Sequence, residues 1–133
     1  MISHVCLGST DLPRSHRFFT ALLTPLGLTE VIMGTNGEPP VLCWHQPGTT
    51  APRLYVAIPF DDRPATAGNG SMLALSAPSQ AAVDAAHAAG LAAGGTDEGA
   101  PGPRPHYGPD YYGAYLRDPD GNKLHLVHAT GTA

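Results

Sequence analysis

Ile2-Ser3-His4-Val5-Cys6-Leu7 opens the chain, and Gly70-Ser71-Met72-Leu73-Ala74-Leu75 follows it 68 positions later. Each is a short apolar run. Because side chains alternate along a strand, residues 2–7 put His4 and Cys6 on one face. The same offset sets Thr10, at a helix start, against Pro78, and Gly27, at a helix end, against Gly95. With a shift of 70, Leu54-Tyr55-Val56 falls on Leu124-His125-Leu126. Identity between the halves is low, but the order of elements and the near-constant offset indicate internal duplication.

Working outward from residues 2–7, Thr10-Asp11 offers an N-cap and Pro13 suits a first helical turn. Phe18, Phe19, Leu22, Leu23 and Leu26 recur at helical steps, and the helix should stop by Gly27. Strands are expected at 29–33, 40–45 and 53–59, with a hairpin signal at Gly34-Thr35-Asn36-Gly37. The second half repeats the order. It has a strand at 71–76, a helix opened by Pro78-Ser79 and ending at Gly90 or soon after, and a weak strand at 91–97. A long loop at 99–110 leads to strands at 111–117 and 123–128 around the Asp118-Pro119-Asp120-Gly121 turn. The expected architecture is therefore α+β, one domain of two βαβββ modules (1–60 and 70–133) joined by a linker at 61–69.

Bulk properties narrow the function classes. The chain has 133 residues, a common size for one domain that buries its own core. Sixteen glycines and fourteen prolines, without a period, imply many turns between short strands. The net charge of −4 is scattered, which speaks against a nucleic-acid partner. No apolar run approaches the ~20 residues that span a bilayer, and the first residues lack the pattern of a signal peptide, so the expected address is the cytoplasm with no membrane partner. There Cys6 and Cys43 are expected to be reduced, buried thiols.

Residues 2–7 with Asp11-Leu12 and Phe18-Phe19 are similar to the first strand and helix of vicinal-oxygen-chelate proteins, the glyoxalase/bleomycin-resistance/dioxygenase superfamily. Arg117-Asp118-Pro119-Asp120-Gly121-Asn122-Lys123-Leu124 is similar to that family's last hairpin. Arg104-Pro105-His106-Tyr107 with Tyr111-Tyr112-Gly113 resembles a bacterial glyoxalase-like branch. The resemblance implies that each module curls its four strands into a half-barrel cup and that the two modules pair through their first strands. It also implies a small-molecule ligand, a homodimer, module pairing either within one chain or by exchange between chains, and in many members a divalent metal held by the first and last strands of both modules.

Carried over in register, the metal positions are His4, Tyr55, Met72 and His125. Imidazoles at His4 and His125 suit Zn, Ni, Mn or Fe. Tyr55 is a weak ligand unless ionised from its ordinary pKa of ~10. The Met72 thioether and the replacement of the family's usual Glu by His125 depart from the pattern, and no carboxylate completes a triad. His128 should face away from His125 on a regular strand, and His16 and His87 are expected on solvated helix faces.

The loop at 99–110 exceeds a usual connection, and its prolines would make it a stiff flap over the cup. Arg104 suits an anionic group and His106 a proton transfer, with Tyr107 beside them. Two functions stay open. One is a glyoxalase-like lyase or isomerase in which a metal polarises a substrate oxygen. The other is a metal-free binding or drug-sequestering protein whose cup, with Tyr55 and Met72 among its substrate contacts, holds a small apolar or aromatic ligand. No particular residue stands out as the catalytic group.

Overall fold

The computed structural model describes residues 1–32 and 41–130. The elements run β1 (His4–Gly8), α1 (Leu12–Leu23), β2 (Thr29–Glu30), β3 (Val41–His45) and β4 (Arg53–Ala57). They continue as β5 (Leu73–Ser76), α2 (Gln80–Ala92), β6 (Thr96–Pro103), β7 (Tyr112–Arg117) and β8 (Lys123–His128). Two four-stranded mixed sheets result, ordered β1-β4-β3-β2 and β5-β8-β7-β6. In each, the first strand of the module pairs parallel with the last and the other pairings are antiparallel. The duplication seen in sequence is thus a duplication of topology. The hairpin signal at 34–37 lies outside the described residues.

Local chemistry explains the helices. Asp11 caps α1 by accepting from the Arg14 N–H at 3.0 Å, and Pro13 fits the first turn. Gly27 adopts φ +81°, a left-handed backbone that ends the turn beyond α1. Ser79 caps α2 through the Ala82 N–H at 3.0 Å. α2 continues past Gly90 to Ala92. Gly90 serves packing there: a Cβ at that position would stand 2.7 Å from Leu116 Cδ1 and 3.1 Å from Leu22 Cδ1. The stop comes at Gly94, with φ +104°.

One core joins the modules. α1 contributes Phe18, Phe19, Leu22 and Leu23, all fully buried, and packs against α2 and the inward sides of β3 and β4. From the second module come Val83, Ala86, Ala114, Leu116, Leu124 and Leu126.

The segment at 99–110 departs from the loop expected there. β6 runs on to Pro103, with irregular register between Asp97 and Gly99 and again between Gly99 and Gly102. As the edge strand of its sheet it tolerates Pro101 and Pro103, because their missing N–H groups are not needed by a neighbour. Glycine and proline therefore disguised a bulged edge strand. Residues 61–69 carry no helix or strand, but they pack against the first module. A Cβ on Gly8 would lie 3.0 Å from Ala65 Cβ.

The family-like hairpin turns out to fasten the modules together. Asp118 Oδ1 accepts from the N–H groups of Asp120 and Asn122, at 3.0 and 2.8 Å, and shapes the turn. Asp120 Oδ1 then accepts from the Thr10 N–H (2.9 Å), the Thr10 hydroxyl (2.7 Å) and Arg14 Nη2 (3.1 Å). Asn122 Nδ2 donates to the Gly8 carbonyl at 3.1 Å. The motif thus joins the last hairpin to the start of α1.

Candidate functional site

Strand alternation sorts β8 into two sides. Leu124 and Leu126 enter the core, whereas Lys123, His125 and Val127 face the opposite side of the second sheet. His125 is nonetheless only 1% exposed. Its ring lies parallel to that of its cross-strand partner Tyr115, with centroids 4.1 Å apart. Tyr111 covers it from the loop after β6, with centroids 5.7 Å apart and an interplanar angle of 14°. Gly113 is required beside it, since a Cβ there would stand 2.6 Å from His125 Cε1. The Tyr111-Tyr112-Gly113 run therefore has a divided task. Tyr111 roofs the histidine, Tyr112 donates to Asp84 Oδ1 on α2 at 2.6 Å, and Gly113 leaves room for the ring.

Hydrogen bonds fix the state of His125. Nδ1 lies 2.9 Å from the Ala114 carbonyl, which can only accept, so Nδ1 carries the proton. Nε2 lies 2.7 Å from the Tyr111 hydroxyl. Burial lowers the His125 pKa against the pull of the Ala114 carbonyl, and the Arg104 and Lys123 charges lower it further. The ring is therefore neutral near pH 7, and Nε2 accepts from Tyr111. Burial, then the neighbouring Tyr107, pushes the Tyr111 phenol up, so it keeps the proton it donates.

Around this pair the loop assembles more of the residues expected in sequence. Tyr107 lies 5.2 Å from Tyr111 and 4.1 Å from His106, centroid to centroid, and Tyr107 is 55% exposed. Arg104 donates through Nη1 to the Gly102 carbonyl (3.0 Å) and the Pro103 carbonyl (3.3 Å), and through Nη2 to Ala100 (2.8 Å). Its Cζ stands 5.8 Å from the Tyr115 ring centroid, and Lys123 Nζ stands 5.4 Å from the same centroid.

The other expected residues lie elsewhere. His4 is exposed on the first sheet, with Nδ1 2.9 Å from the Ser3 hydroxyl and its ring edge-on to Tyr55 at 5.4 Å. Tyr55 sits in register between Cys6 and Cys43. Met72 is half-exposed and borders a groove of about 400 Å³ between the edges of β1 and β5, together with Ile2, Val5, Cys6 and Leu73. The structure thus groups His4 with Tyr55, and Arg104, His106 and Tyr107 with His125. Each of the two histidines takes its partners from its own sheet.

That arrangement fits a tightly held divalent ion poorly. Among the described residues no three His, Cys, Asp or Glu side chains gather as a ligand set. In the register set, Met72 offers a soft thioether, and both nitrogens of His125 are already hydrogen-bonded.

Several sequence expectations change. Cys6 is exposed, not buried; Cys43 is buried, and both thiols are free. His87 is buried, not solvated, with Nε2 3.1 Å from Asp97 Oδ1. His16 meets Glu30 at 2.9 Å and stacks on Trp44. His128 points away from His125, its Nδ1 donating to the Ala77 carbonyl at 3.0 Å. Sequence reasoning missed Tyr111 as the partner of His125. No sequence signal marks it, because the residue opposite His125 in the hairpin register is Tyr115, and Tyr111 reaches the ring from the loop before β7.

Two βαβββ modules, each a four-stranded mixed sheet with one helix, define the α+β class of the chain. The chain belongs to the Glyoxalase/Bleomycin resistance protein/Dioxygenase superfamily, whose family model matches residues 1–126. A solved glyoxalase/bleomycin resistance protein from Albidiferax ferrireducens is 43% identical, with a TM-score of 0.81 over 96% of this chain and 98% of that one. A glyoxalase/bleomycin resistance protein/dioxygenase family enzyme from Burkholderia phytofirmans shares the fold at 20% identity, with a TM-score of 0.70 over 96% and 97%. A glyoxalase-related enzyme from Fulvimarina pelagi does so at 21%, with a TM-score of 0.69 over 96% and 87%. None of the curated proteins matches the chain.

Proposed function

We propose that this protein binds a small aromatic molecule on the concave face of its second sheet and needs no metal to do so. The observation that carries the reading is the state of His125. A buried neutral imidazole, bonded to Ala114 and Tyr111 and lying against the Tyr111 and Tyr115 rings, holds those aromatic side chains in fixed places as the base of a binding surface. Tyr107, Tyr111 and Tyr115 extend that surface, and the exposed Tyr107 and His106 rings offer faces on which a planar ligand can stack. Tyr55 and Met72 would serve a second wall, across the groove bordered by β1 and β5.

The competing reading is a metal-assisted lyase with His4 and His125 as ligands. It is favoured by one feature: an Nδ1–H bonded to a carbonyl is how metal-bound histidines are commonly oriented. It requires Tyr111 to release Nε2. The proposal extends to a homodimer, because β1 and β5 each pair on one side only and leave two open edges beside an apolar groove. Two unpaired thiols accord with a reducing compartment such as the cytoplasm.

Untagged protein, dialysed and then heated with Zn, Ni, Mn or anaerobic Fe(II), should show an unchanged Tm. A panel of small aromatics should raise it, and Tyr107→Ala should abolish the rise. Stoichiometric metal that copurifies and is lost in His4→Ala would overturn the metal-free reading. Light scattering should return twice the chain mass, and a monomer at micromolar concentration rejects the dimer.

A further inference from the structure

We infer that the ligand of this site is an anion, a planar aromatic carboxylate whose charge rests between Arg104 and Lys123. The inference deepens the binding proposal above and rests on it. Its starting point is a charge imbalance. The chain carries −4 overall, yet neither Arg104 nor Lys123 has a carboxylate within ion-pairing reach among the described residues. Three other cations are matched, Arg14 with Asp120, Arg117 with Glu98 and the exposed Arg63 with Asp61, while Arg17 and Arg53, like Arg104 and Lys123, have no ion pair among the described residues. Glu98, the acid on the neighbouring strand, is therefore already engaged.

What sets Arg104 and Lys123 apart is that both stand against one ring, Tyr115, at 5.8 and 5.4 Å from its centroid. Three backbone carbonyls hold the Arg104 guanidinium in place without neutralising it. Of its five N–H groups, two, the Nε–H among them, keep no recorded protein acceptor. A guanidinium positioned by carbonyls and left with free donors is arranged to meet an oxygen anion. The ring that both cations face is the one stacked on His125, with centroids 4.1 Å apart, so the two charges lie beside the buried imidazole.

The ring part of the ligand follows from the opposite feature. Beside the cations the surface offers aromatic faces and no carboxylate: His106, Tyr107, Tyr111 and Tyr115. A cationic ligand would stack equally well there but would meet two like charges. An aliphatic anion would meet the cations but leave Tyr107 uncovered. An aromatic carboxylate satisfies both parts.

The test compares three probes of one shape by titration calorimetry: 2-naphthoate, 2-naphthalenemethanol and 2-naphthylmethylammonium. Naphthoate should bind at least tenfold more tightly than the alcohol, and the ammonium should bind weakest. Lys123→Gln and, separately, Arg104→Gln should each remove most of the naphthoate advantage while leaving the alcohol unchanged. Circular dichroism and Tm establish that each variant is folded. Raising salt from 50 to 500 mM should narrow the same gap. In NMR titrations, bound naphthoate should raise the His125 pKa by cancelling the positive field.

Equal binding of alcohol and naphthoate, lost in Tyr107→Ala, overturns the anion and leaves the aromatic site standing. Tighter binding of the ammonium does the same. Failure of all three probes, with no effect of Tyr107→Ala, rejects the site and the anion together.

Discussion

Tyr55 in the middle of β4 and His125 in the middle of β8 hold matching places in two sheets of the same topology. Their surroundings differ. Tyr55 lies between Cys6 and Cys43 with the exposed His4 edge-on to it, whereas His125 is sealed beneath Tyr111 and Tyr115 with both nitrogens bonded. The helices behind the sheets diverge as well. α1 supplies the bulk, Phe18, Phe19, Leu22 and Leu23, and α2 supplies small residues that let it approach. Duplication fixes the backbone path. The side chains on each path, and the loop that covers it, decide which copy holds a defended polar site.

The largest expected effects test the division of the core. Phe18→Ala should cost about 3–5 kcal/mol, since the ring is fully buried where α1 meets Gly90 of α2 and Gly95 beyond it. Val83→Ala, at a fully buried position of α2, should cost roughly 2 kcal/mol. Urea unfolding of both variants measures the pair. Equal costs would mean that the two helices contribute alike.

Next comes the bond between modules. Asp120→Ala strips partners from the Thr10 N–H, the Thr10 hydroxyl and Arg14 at once. The Asp120 side chain is 3% exposed and Arg14 is about a third exposed, so a loss of about 2–4 kcal/mol is expected. Asp120→Asn keeps an acceptor oxygen and should cost less. If Asp120→Ala unfolds with the wild-type midpoint, the hairpin is not the fastener described.

Smaller still is the cover over His125. Tyr111→Phe leaves Nε2 buried without a donor and should cost about 1–2 kcal/mol. The same site sets a pH dependence. The folded pKa of His125 lies below its unfolded value near 6.5, so the unfolded chain binds more protons between the two. Stability should be complete above about pH 6.5 and fall as the pH drops from there toward the depressed value. His125→Gln should remove that component. An unchanged acid limb in the variant would assign the effect to another group.

Much of the fold was legible because it rests on local periodicity and on a repeated order of elements. Residues 2–7 and 123–128, the Asp11 cap and the alternation of core leucines each follow from short-range chemistry. What escaped were features decided by neighbours in space. Gly90 reads as a helix stop and is a packing contact, and the Gly/Pro-rich run after Asp97 reads as a loop and is an edge strand. The site was half legible. Arg104, His106 and Tyr107 announced themselves as an unusual segment, and the repeat register singled out His125. The register could not reveal that Tyr111 would occupy Nε2, because that bond depends on how a loop returns over its own sheet.

The smallest effect is also the sharpest probe of the first sheet. Cys6 and Cys43 flank Tyr55 in one row of the concave face, yet Cys6 is exposed and Cys43 is buried. Partial burial pushes the Cys6 thiol up, so its thiolate fraction at neutral pH is smaller than that of a free cysteine. Dithionitrobenzoate at pH 8 should therefore modify one thiol per chain, more slowly than free cysteine and faster as the pH rises. Cys43 should react only with unfolding. Cys6→Ser should erase the early phase and change stability by less than about 0.5 kcal/mol, because that side chain fills no core. Two thiols reacting together in the native protein would mean that the row opens as a unit. The contrast between an open first face and a sealed second would then be one of degree.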